Sequence, residues 1–254
     1  MVNHTTVICT LLVLFGVAPL TVPGQAPERL SALGITEPIL DVTLSAAVPG
    51  LVGSRQVKEG DFVAQGQIVV ELDKKLEELE VSRRQLVVDR LQADLEATRA
   101  LFSRTKSVSQ EELERKETEY KVAVVERELA KEQLQRRLVI SPLSGIVMRL
   151  PREVGEACQA HEPLARIVDT RRCYFVSNLE AKAGHRLTVD QAVKLEIEPG
   201  TATVTLPGKI VFISPVVDAA SGLLRVKVLF DNAAGKIRPG VAGRMLWEEV
   251  ADDR

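Results

Sequence analysis

Histidine, cysteine and methionine are the side chains of this 254-residue chain best suited to bind a transition metal. None of them stands at a ligand spacing such as C-x2-C or H-x3-H. The sequence therefore predicts no metal site. The residues considered are His161, His185, Cys158, Cys173, Met148 and Met245.

The sequence also shows no arrangement of residues that is typical of a hydrolase. The sequence has no nucleophile motif such as G-x-S-x-G. The acidic pairs Glu111-Glu112 and Asp252-Asp253 fall in a predicted helix and in the C-terminal tail. General acid–base catalysis needs groups placed around one reacting bond, and a run of adjacent acids does not supply that geometry. We predict no catalytic residue and no enzyme.

A repeat split into two halves organises the chain. Residues 48–73 read VPGLVGSRQVKEGDFVAQGQIVVELD, and residues 140–169 read ISPLSGIVMRLPREVGEACQAHEPLARIVD. Each half has short apolar strands, a Gly-acid turn (Gly60-Asp61 and Gly155-Glu156) and an apolar run that ends in Asp. Glycine suits such turns because it adopts positive φ without steric cost. Two matching halves predict one small β-domain built from both.

The segment between the halves, residues 74–138, contains no Gly or Pro and is rich in strong helix formers. Ser109 and Glu112 form an S-x-x-E capping box, so we expect a break within residues 103–109. The segment therefore predicts an antiparallel coiled-coil hairpin with arms of about 45 Å. Its predicted seam residues are Val88, Leu91, Leu95, Thr98 and Phe102, then Leu113, Tyr120, Val124, Leu134 and Leu138, with Arg127 and Lys131 interrupting the second row.

Short strands separated by Pro-Gly and Ser-Gly turns fill residues 171–247. This spacing is typical of a small antiparallel barrel or sandwich. A further strand is expected at residues 39–48, and residues 25–38 are predicted to be an N-terminal tether.

These stretches, in this order, resemble the bacterial periplasmic adaptors, or membrane fusion proteins, of the RND efflux and HlyD-like type. The two repeat halves carry the resemblance, together with GKIVFISPVVDAASGLLRVKVLFDNAAGKIRPGVAGRM at residues 208–245. The resemblance implies an α+β, mostly β chain. A split lipoyl-like (barrel-sandwich hybrid) domain, residues 39–73 and 139–170, holds the inserted α-helical hairpin of residues 74–138. A β-barrel at 171–247 and a tail at 248–254 follow.

The resemblance also implies partners. Adaptors of this family join an inner-membrane transporter, of RND or ABC type, to an outer-membrane channel, and they assemble as homo-oligomeric rings. Their hairpin tips often carry Arg-x3-Leu-x6-Ser for docking on the channel. Anchored on Ser109, this chain has Phe102 at the apolar place and Thr98 at the Arg place, with Arg99 beside it. Arg99, Phe102 and Ser109 are therefore the candidate partner-binding residues, and Ser109 is also the expected N-cap of the second helix.

Residues 1–24 have the layout of a signal peptide. Residues 7–20 form an apolar run too short to span a bilayer comfortably, and Val22-Pro23-Gly24 offers a cleavage site. Residues 1–6 lack Lys and Arg, so an uncleaved anchor is the alternative. We expect export to the periplasm and association with the inner membrane of the cell envelope. A net charge of −2 and an aromatic content of 4% predict no nucleic-acid partner.

The sequence leaves two alternatives to an adaptor. A lipoyl or biotinyl carrier holds its modified lysine on a turn between strands, and Asp73-Lys74 resembles such a turn. Here Lys74 opens a helical segment instead, so no cofactor is predicted. The other alternative is a structural coiled-coil envelope protein, which the imperfect seam and the flanking β-halves disfavour.

Two expectations concern the cysteines and the C-terminus. In an exported protein Cys158 and Cys173 could form a disulfide, although we favour two unpaired apolar residues. The sequence ends seven residues after Trp247. We therefore expect the membrane-proximal domain that often follows the barrel to be reduced or absent.

Overall fold

The computed structural model describes residues 29–200 and 202–248, and the predicted signal peptide lies outside them. The described elements run in the order β1 (Arg29–Ser45), β2 (Gly50–Arg55), β3 (Phe62–Val63), β4 (Ile68–Leu72), α1 (Lys75–Thr105), α2 (Gln110–Gln135), β5 (Leu138–Ile140), β6 (Gly145–Arg149), β7 (Ala157–Cys158), β8 (Pro163–Glu180), α3 (Ala181–Gly184), β9 (Ala192–Ile197), β10 (Val204–Ile213), β11 (Leu223–Asp231) and β12 (Ala242–Glu248).

Strands from both repeat halves interleave in one β-unit. The small sheet has the order β5-β4-β2-β7, so each half contributes two of its four strands, and β3 pairs with β6 across the halves. A single core contains buried side chains of both halves, including Val52 and Leu72 from the first and Val139 and Ile167 from the second. The matching turns agree as well, since Gly60 and Gly155 both have φ of 92°. Neither half could bury its apolar face without the other.

The second β-unit is a closed antiparallel barrel. Its six strands follow one another as β1-β12-β9-β10-β11-β8, and β8 pairs back with β1 to close the ring. Its core is separate from that of the first unit and contains Phe175, Leu195, Ile210 and Met245, all fully buried. Closure leaves this part of the sheet without free edges. The predicted fold class, a mostly β chain with a split lipoyl-like unit and a small barrel, is confirmed.

The predicted tether differs from the structure at residues 29–38, which form the first part of β1. This stretch pairs with β12 from Arg29–Glu248 to Ile35–Ala242 and belongs to the barrel. The strand pattern is hidden because small residues face the core while Leu33 and Ile35 face outward. Gly34 shows why: a Cβ there would lie 2.6 Å from the ring of Phe175. The bulk that fills this part of the core comes from the neighbouring strand.

The two β-units are joined by β1 and β8, which run antiparallel through both. Their register shifts between Pro38 and Leu40, so three residues of β8 stand opposite one residue of β1. Asp169 stabilises this bulge. Its nearly buried carboxylate accepts the backbone N–H of Arg171 at 3.0 Å and the guanidinium of the same residue at 2.7 Å.

Asn232 braces the same junction from the barrel. Its side-chain amide donates to the carbonyl of Thr170 at 2.9 Å and to that of Ile237 at 2.7 Å, and its oxygen accepts the N–H of Ile237. The two cysteines lie on either side of the junction and are unpaired: Cys158 packs in the core of the split unit and Cys173 in that of the barrel.

The junction should be sensitive to acid. The guanidinium of Arg171 holds the pKa of Asp169 below its ordinary value of 3.8, and its backbone N–H acts in the same direction. A carboxyl whose pKa is lowered by folding contributes stability that is present above the unfolded pKa and is lost as the pH falls through the folded one. We expect the free energy of unfolding to fall less below pH 3.8 in Asp169→Asn than in the parent chain, as measured by urea denaturation across an acidic pH series.

Asp94→Asn, at an exposed position on α1, is the matched control and should retain the acid dependence of the parent. Identical pH slopes for the parent and Asp169→Asn would contradict the assigned role of Asp169.

Candidate functional site

The helical hairpin projects from the split unit and is the part of the described chain suited to reach a partner. Cross-hairpin contacts show that α1 and α2 are antiparallel: Arg84 pairs with Glu126 near the base, and Arg99 pairs with Glu117 at 2.7 Å nearer the tip. At 1.5 Å per residue, the 31 residues of α1 extend about 46 Å. The predicted hairpin and the position of its break are confirmed.

Fewer of the predicted seam residues of the hairpin are fully buried than the sequence predicts. Val88 and Leu95 are buried on α1 as expected, whereas on α2 the buried residues are Ala123 and Ala130, which the sequence analysis missed. Arg127 lies within the seam and donates to the side chain of Gln85 at 3.2 Å. The alanines match this arrangement, because a small side chain on either side leaves room for a long one between them.

The remaining predicted seam residues divide into three groups. Half-buried positions include Leu91, Thr98 and Phe102 on α1 and Leu113, Tyr120, Val124 and Leu134 on α2. Lys131 is exposed, as suits an interrupting charge. Leu138 is not in the hairpin but in strand β5, because α2 ends at Gln135.

The tip is built from two helix ends. Lys106 ends α1 in the left-handed region with φ of 51°, and the hydroxyl of Ser109 accepts the N–H of Glu112 at 3.1 Å to start α2. Ser109 is therefore an N-cap, as predicted. The carboxylate of Glu112 binds Arg115 in its own helix rather than completing the capping box.

The three candidate docking residues lie toward the tip but have different surroundings. The guanidinium of Arg99 is about half exposed and is held by Glu117, whose pKa the contact lowers. Phe102 is half-buried, and Ser109 is occupied by its cap. Of the three, the exposed Arg99 has the most surface available to a partner.

The base of the hairpin is clamped to the split unit by Arg137, a residue that sequence analysis missed. Its guanidinium binds the carboxylate of Glu77 at 2.6 Å and donates to the carbonyl of Pro49 at 3.0 Å. Its own carbonyl accepts the N–H of Leu72 at 2.8 Å. One residue thus ties the start of α1 and the end of α2 to strand β4. The signal available in the sequence was its position between the end of the helix and the next strand.

Lys74, the lysine considered for a carrier, lies at this base. It directly precedes α1 and pairs with Glu71 at 3.0 Å and Glu78 at 3.6 Å, and the hydrogen bond to Glu71 raises its pKa. A carrier lysine instead stands on an exposed turn between strands, which is not the location of Lys74.

The candidate metal ligands are dispersed. His161 lies in a turn with φ of 67°, and His185 follows α3. Across residues 29–200 and 202–248, no three His, Cys, Asp or Glu side chains are grouped so that they could hold a metal ion. In the same part of the chain, none of the helices combines the length and apolar character needed to cross a membrane.

Comparison with known proteins agrees with this architecture. The profile of the CusB-like β-barrel domain family matches residues 176–250. The solvent efflux pump periplasmic linker SrpA of Pseudomonas putida is 24% identical over 91% of this chain and 62% of its own length. The nodulation protein NolF of Rhizobium meliloti is 24% identical over 84% of this chain and 62% of its own length.

A solved structure shows the same fold. It is a MacA–MexA chimeric protein that contains the α-hairpin domain of Pseudomonas aeruginosa MexA, with a TM-score of 0.76 and 18% identity over 89% of this chain and 82% of the chimera. In sequence and in fold, the chain is thus similar to periplasmic adaptors, or membrane fusion proteins. It spans 57–62% of the length of the curated relatives it matches.

The cap at the tip of the hairpin can be tested separately from any partner contact. Ser109→Ala should destabilise the hairpin by about 1 kcal/mol, because the N–H of Glu112 loses its acceptor. Ser109→Asp keeps an acceptor at the N-cap and should restore most of the stability. Far-UV circular dichroism during urea denaturation measures both changes, and equal destabilisation by the two variants would contradict the capping role.

The clamp at the base can be tested with neighbouring arginines. Arg137→Ala leaves the mostly buried carboxylate of Glu77 and the carbonyl of Pro49 without this donor, so the free energy of unfolding should fall by about 1–3 kcal/mol. Arg136→Ala removes an exposed pair with Glu132 and should change it by less than about 0.5 kcal/mol. Similar values for both variants would show that Arg137 is not a clamp.

Proposed function

We propose that this chain is a non-enzymatic adaptor that links an inner-membrane transporter, of RND or ABC type, to an outer-membrane channel for transmembrane transport. The observation that carries the proposal is a long hairpin inserted into the split lipoyl-like unit and followed by a closed barrel. SrpA, a relative over most of this chain, is a periplasmic linker of an efflux pump. In this proposal the adaptor is exported by its N-terminal leader, acts in the periplasm at the inner membrane and assembles as a homo-oligomeric ring.

The contacts of the chain suit a mechanical role. Continuous strands β1 and β8 connect the barrel to the split unit, and Arg137 connects the split unit to the hairpin. A displacement imposed on the barrel can therefore pass to the hairpin through hydrogen-bonded backbone and one ion pair. No bond-making step is needed, and repeated interfaces between subunits would supply the binding energy.

We further propose that the channel binds the tip through Arg99, Phe102 and Ser109. The exposed guanidinium of Arg99 can bind carboxylate or carbonyl oxygens of a partner, and Phe102 offers part of its ring. Ser109 would then act by starting α2 at the correct place, so that the two helix ends form a firm tip.

A photo-crosslinking amino acid at Ser107, an exposed tip residue, tests the arrangement in native membranes. We expect the Ser107 probe to capture an outer-membrane channel and the affinity-purified full chain to bring down an inner-membrane transporter. The matched control is a probe at Gln135, which lies at the other end of α2, about 38 Å away. It should not capture the channel. Recovery of neither a channel nor a transporter would overturn the proposal.

Two tip variants sharpen the same experiment. Arg99→Ala and Phe102→Ala should each reduce channel capture at Ser107, whereas Gln92→Ala, on the exposed surface farther from the tip, should leave it unchanged. Equal capture by all three variants would contradict the assignment of the docking residues and leave the linker role standing.

A further inference from the structure

A groove lies on the surface of the chain where the barrel meets the split unit. Its volume is about 740 Å³, which is the size of a site for a small organic ligand. One wall, the sheet wall, is formed by strands β1, β6 and β8, and the other, the loop wall, by the loop between β11 and β12. We call it the junction groove; its lining includes Ile35, Ile146, Met148, Val168, Ile237 and Arg238.

The sheet wall carries an apolar row that ends at Asp41. Ile146 stands opposite Val168 in the register of β6 and β8, and Val168 stands opposite Asp41 of β1. Val168 is buried but is packed in neither of the two cores. Ile146 and Met148 are 38% and 53% exposed, and Phe62 extends the row beyond the groove. Apolar side chains that are gathered and left open in a concave site favour an apolar occupant.

The loop wall is held in place by hydrogen bonds to neighbouring residues of the barrel. The side-chain oxygen of Asn232 accepts the N–H of Ile237 at 3.0 Å. The buried hydroxyl of Thr36 accepts the N–H of Val241 at 2.9 Å, and the carbonyl of Thr36 accepts the N–H of Gly240 at 2.7 Å. The groove is therefore pre-formed, and a pre-formed site spends less of its binding free energy on ordering the protein.

The charges that line the groove are paired except for that of one arginine. Asp41 accepts two hydrogen bonds from Arg166, one of them at 2.8 Å, and this contact lowers the pKa of Asp41 and keeps the pair ionised. Glu37 pairs with Arg225 at 3.2 Å. Arg238 is exposed, and its guanidinium has no ion pair or hydrogen bond in the described part of the chain. The groove thus combines an apolar surface with one unpaired positive charge.

We propose that the junction groove binds an amphipathic carboxylate, a small molecule with one aliphatic chain and one anionic group. The chain lies against Ile146, Met148 and Val168, where its apolar surface is removed from water. The carboxylate pairs with the guanidinium of Arg238, whose planar set of donors matches two carboxylate oxygens. A cation with the same chain lacks this pairing and binds more weakly. Because the lining comes from both β-units, the bound ligand touches both of them.

Titration of the purified full chain with dansyl-labelled undecanoic acid measures this binding, because dansyl emission shifts to shorter wavelength in an apolar site. We expect saturable binding of the probe and its displacement by dodecanoate. Dodecyltrimethylammonium, a cation with a chain of the same length, should not displace the probe at the same concentration below the micellar range. Equal displacement by the two amphiphiles would show that the site does not select an anion and would overturn the inference. Binding needs neither transporter nor channel, so its failure is separate from failure of the proposed function.

Two arginine variants locate the anionic group. Arg238→Ala should weaken binding of the probe about tenfold, because a contact between two charged groups is lost. Arg104→Ala is the matched control, since it removes an exposed arginine at the hairpin tip and changes the net charge equally. It should leave the affinity unchanged. The same affinity in Arg238→Ala as in the parent chain would exclude Arg238 as the binding residue, and circular dichroism confirms that each variant is folded.

Two variants of Met148 test the apolar wall. The side chain is half exposed, so neither substitution should unfold the chain. Met148→Gln removes apolar contact, whereas Met148→Glu also places a negative charge in the groove and should weaken binding of the anionic probe further. Unchanged affinity in both variants would show that the ligand binds elsewhere on the chain.

Vesicles of phosphatidylglycerol distinguish a free amphiphile from a membrane surface as the source of the anion. Cosedimentation of the full chain with these vesicles should be the same for the parent and for Arg238→Ala, because the proposed site takes a single small molecule. Cosedimentation that is lost in Arg238→Ala would show that this arginine binds a lipid surface instead, and would overturn the inference.

Discussion

The pairing of β1 with β8 is the interaction on which the rest of the structure depends. These strands close the barrel at one end and cover the core of the split unit at the other, so each belongs to both. The bulge at Pro38 and Leu40 lets one ladder change direction between two cores without being cut. Asp169 and Asn232 supply the polar contacts that the interrupted ladder leaves open. The two β-units are consequently coupled through backbone hydrogen bonds rather than through a flexible linker.

The hairpin is stabilised differently from the β-units, which have buried apolar cores. Its seam buries few side chains fully, and charged residues such as Arg84, Glu126 and Arg127 cross it. Exposed ion pairs contribute little stability each, so such an arm gains modestly from its own contacts. Its base is held by the contacts of Arg137, and its outer faces carry exposed apolar side chains among charged ones. A two-helix arm of this kind would gain stability from contacts with other protein surfaces.

The comparisons and the structure support each other at different levels. The barrel profile and the solved chimera support the architecture, whereas the partners are a proposal that rests on the length of the hairpin and on the printed name of the relative SrpA. The residues at the tip have different roles from those that the docking motif implies. Ser109 has a structural duty at the helix start, and Arg99 is the residue with exposed charge.

Local sequence determined the elements that rest on short-range rules. The Gly-acid turns, the Gly-free helical segment and the cap at Ser109 all follow from backbone and capping preferences within a few residues, and the structure confirms them. Other elements depend on residues that are distant in sequence and were therefore decided by the tertiary structure. Residues 29–38 are a strand because β8 supplies the bulk beside Gly34. At the hairpin base, Arg137 contacts partners that are more than fifty residues away in sequence, and no local pattern encodes a contact of that separation.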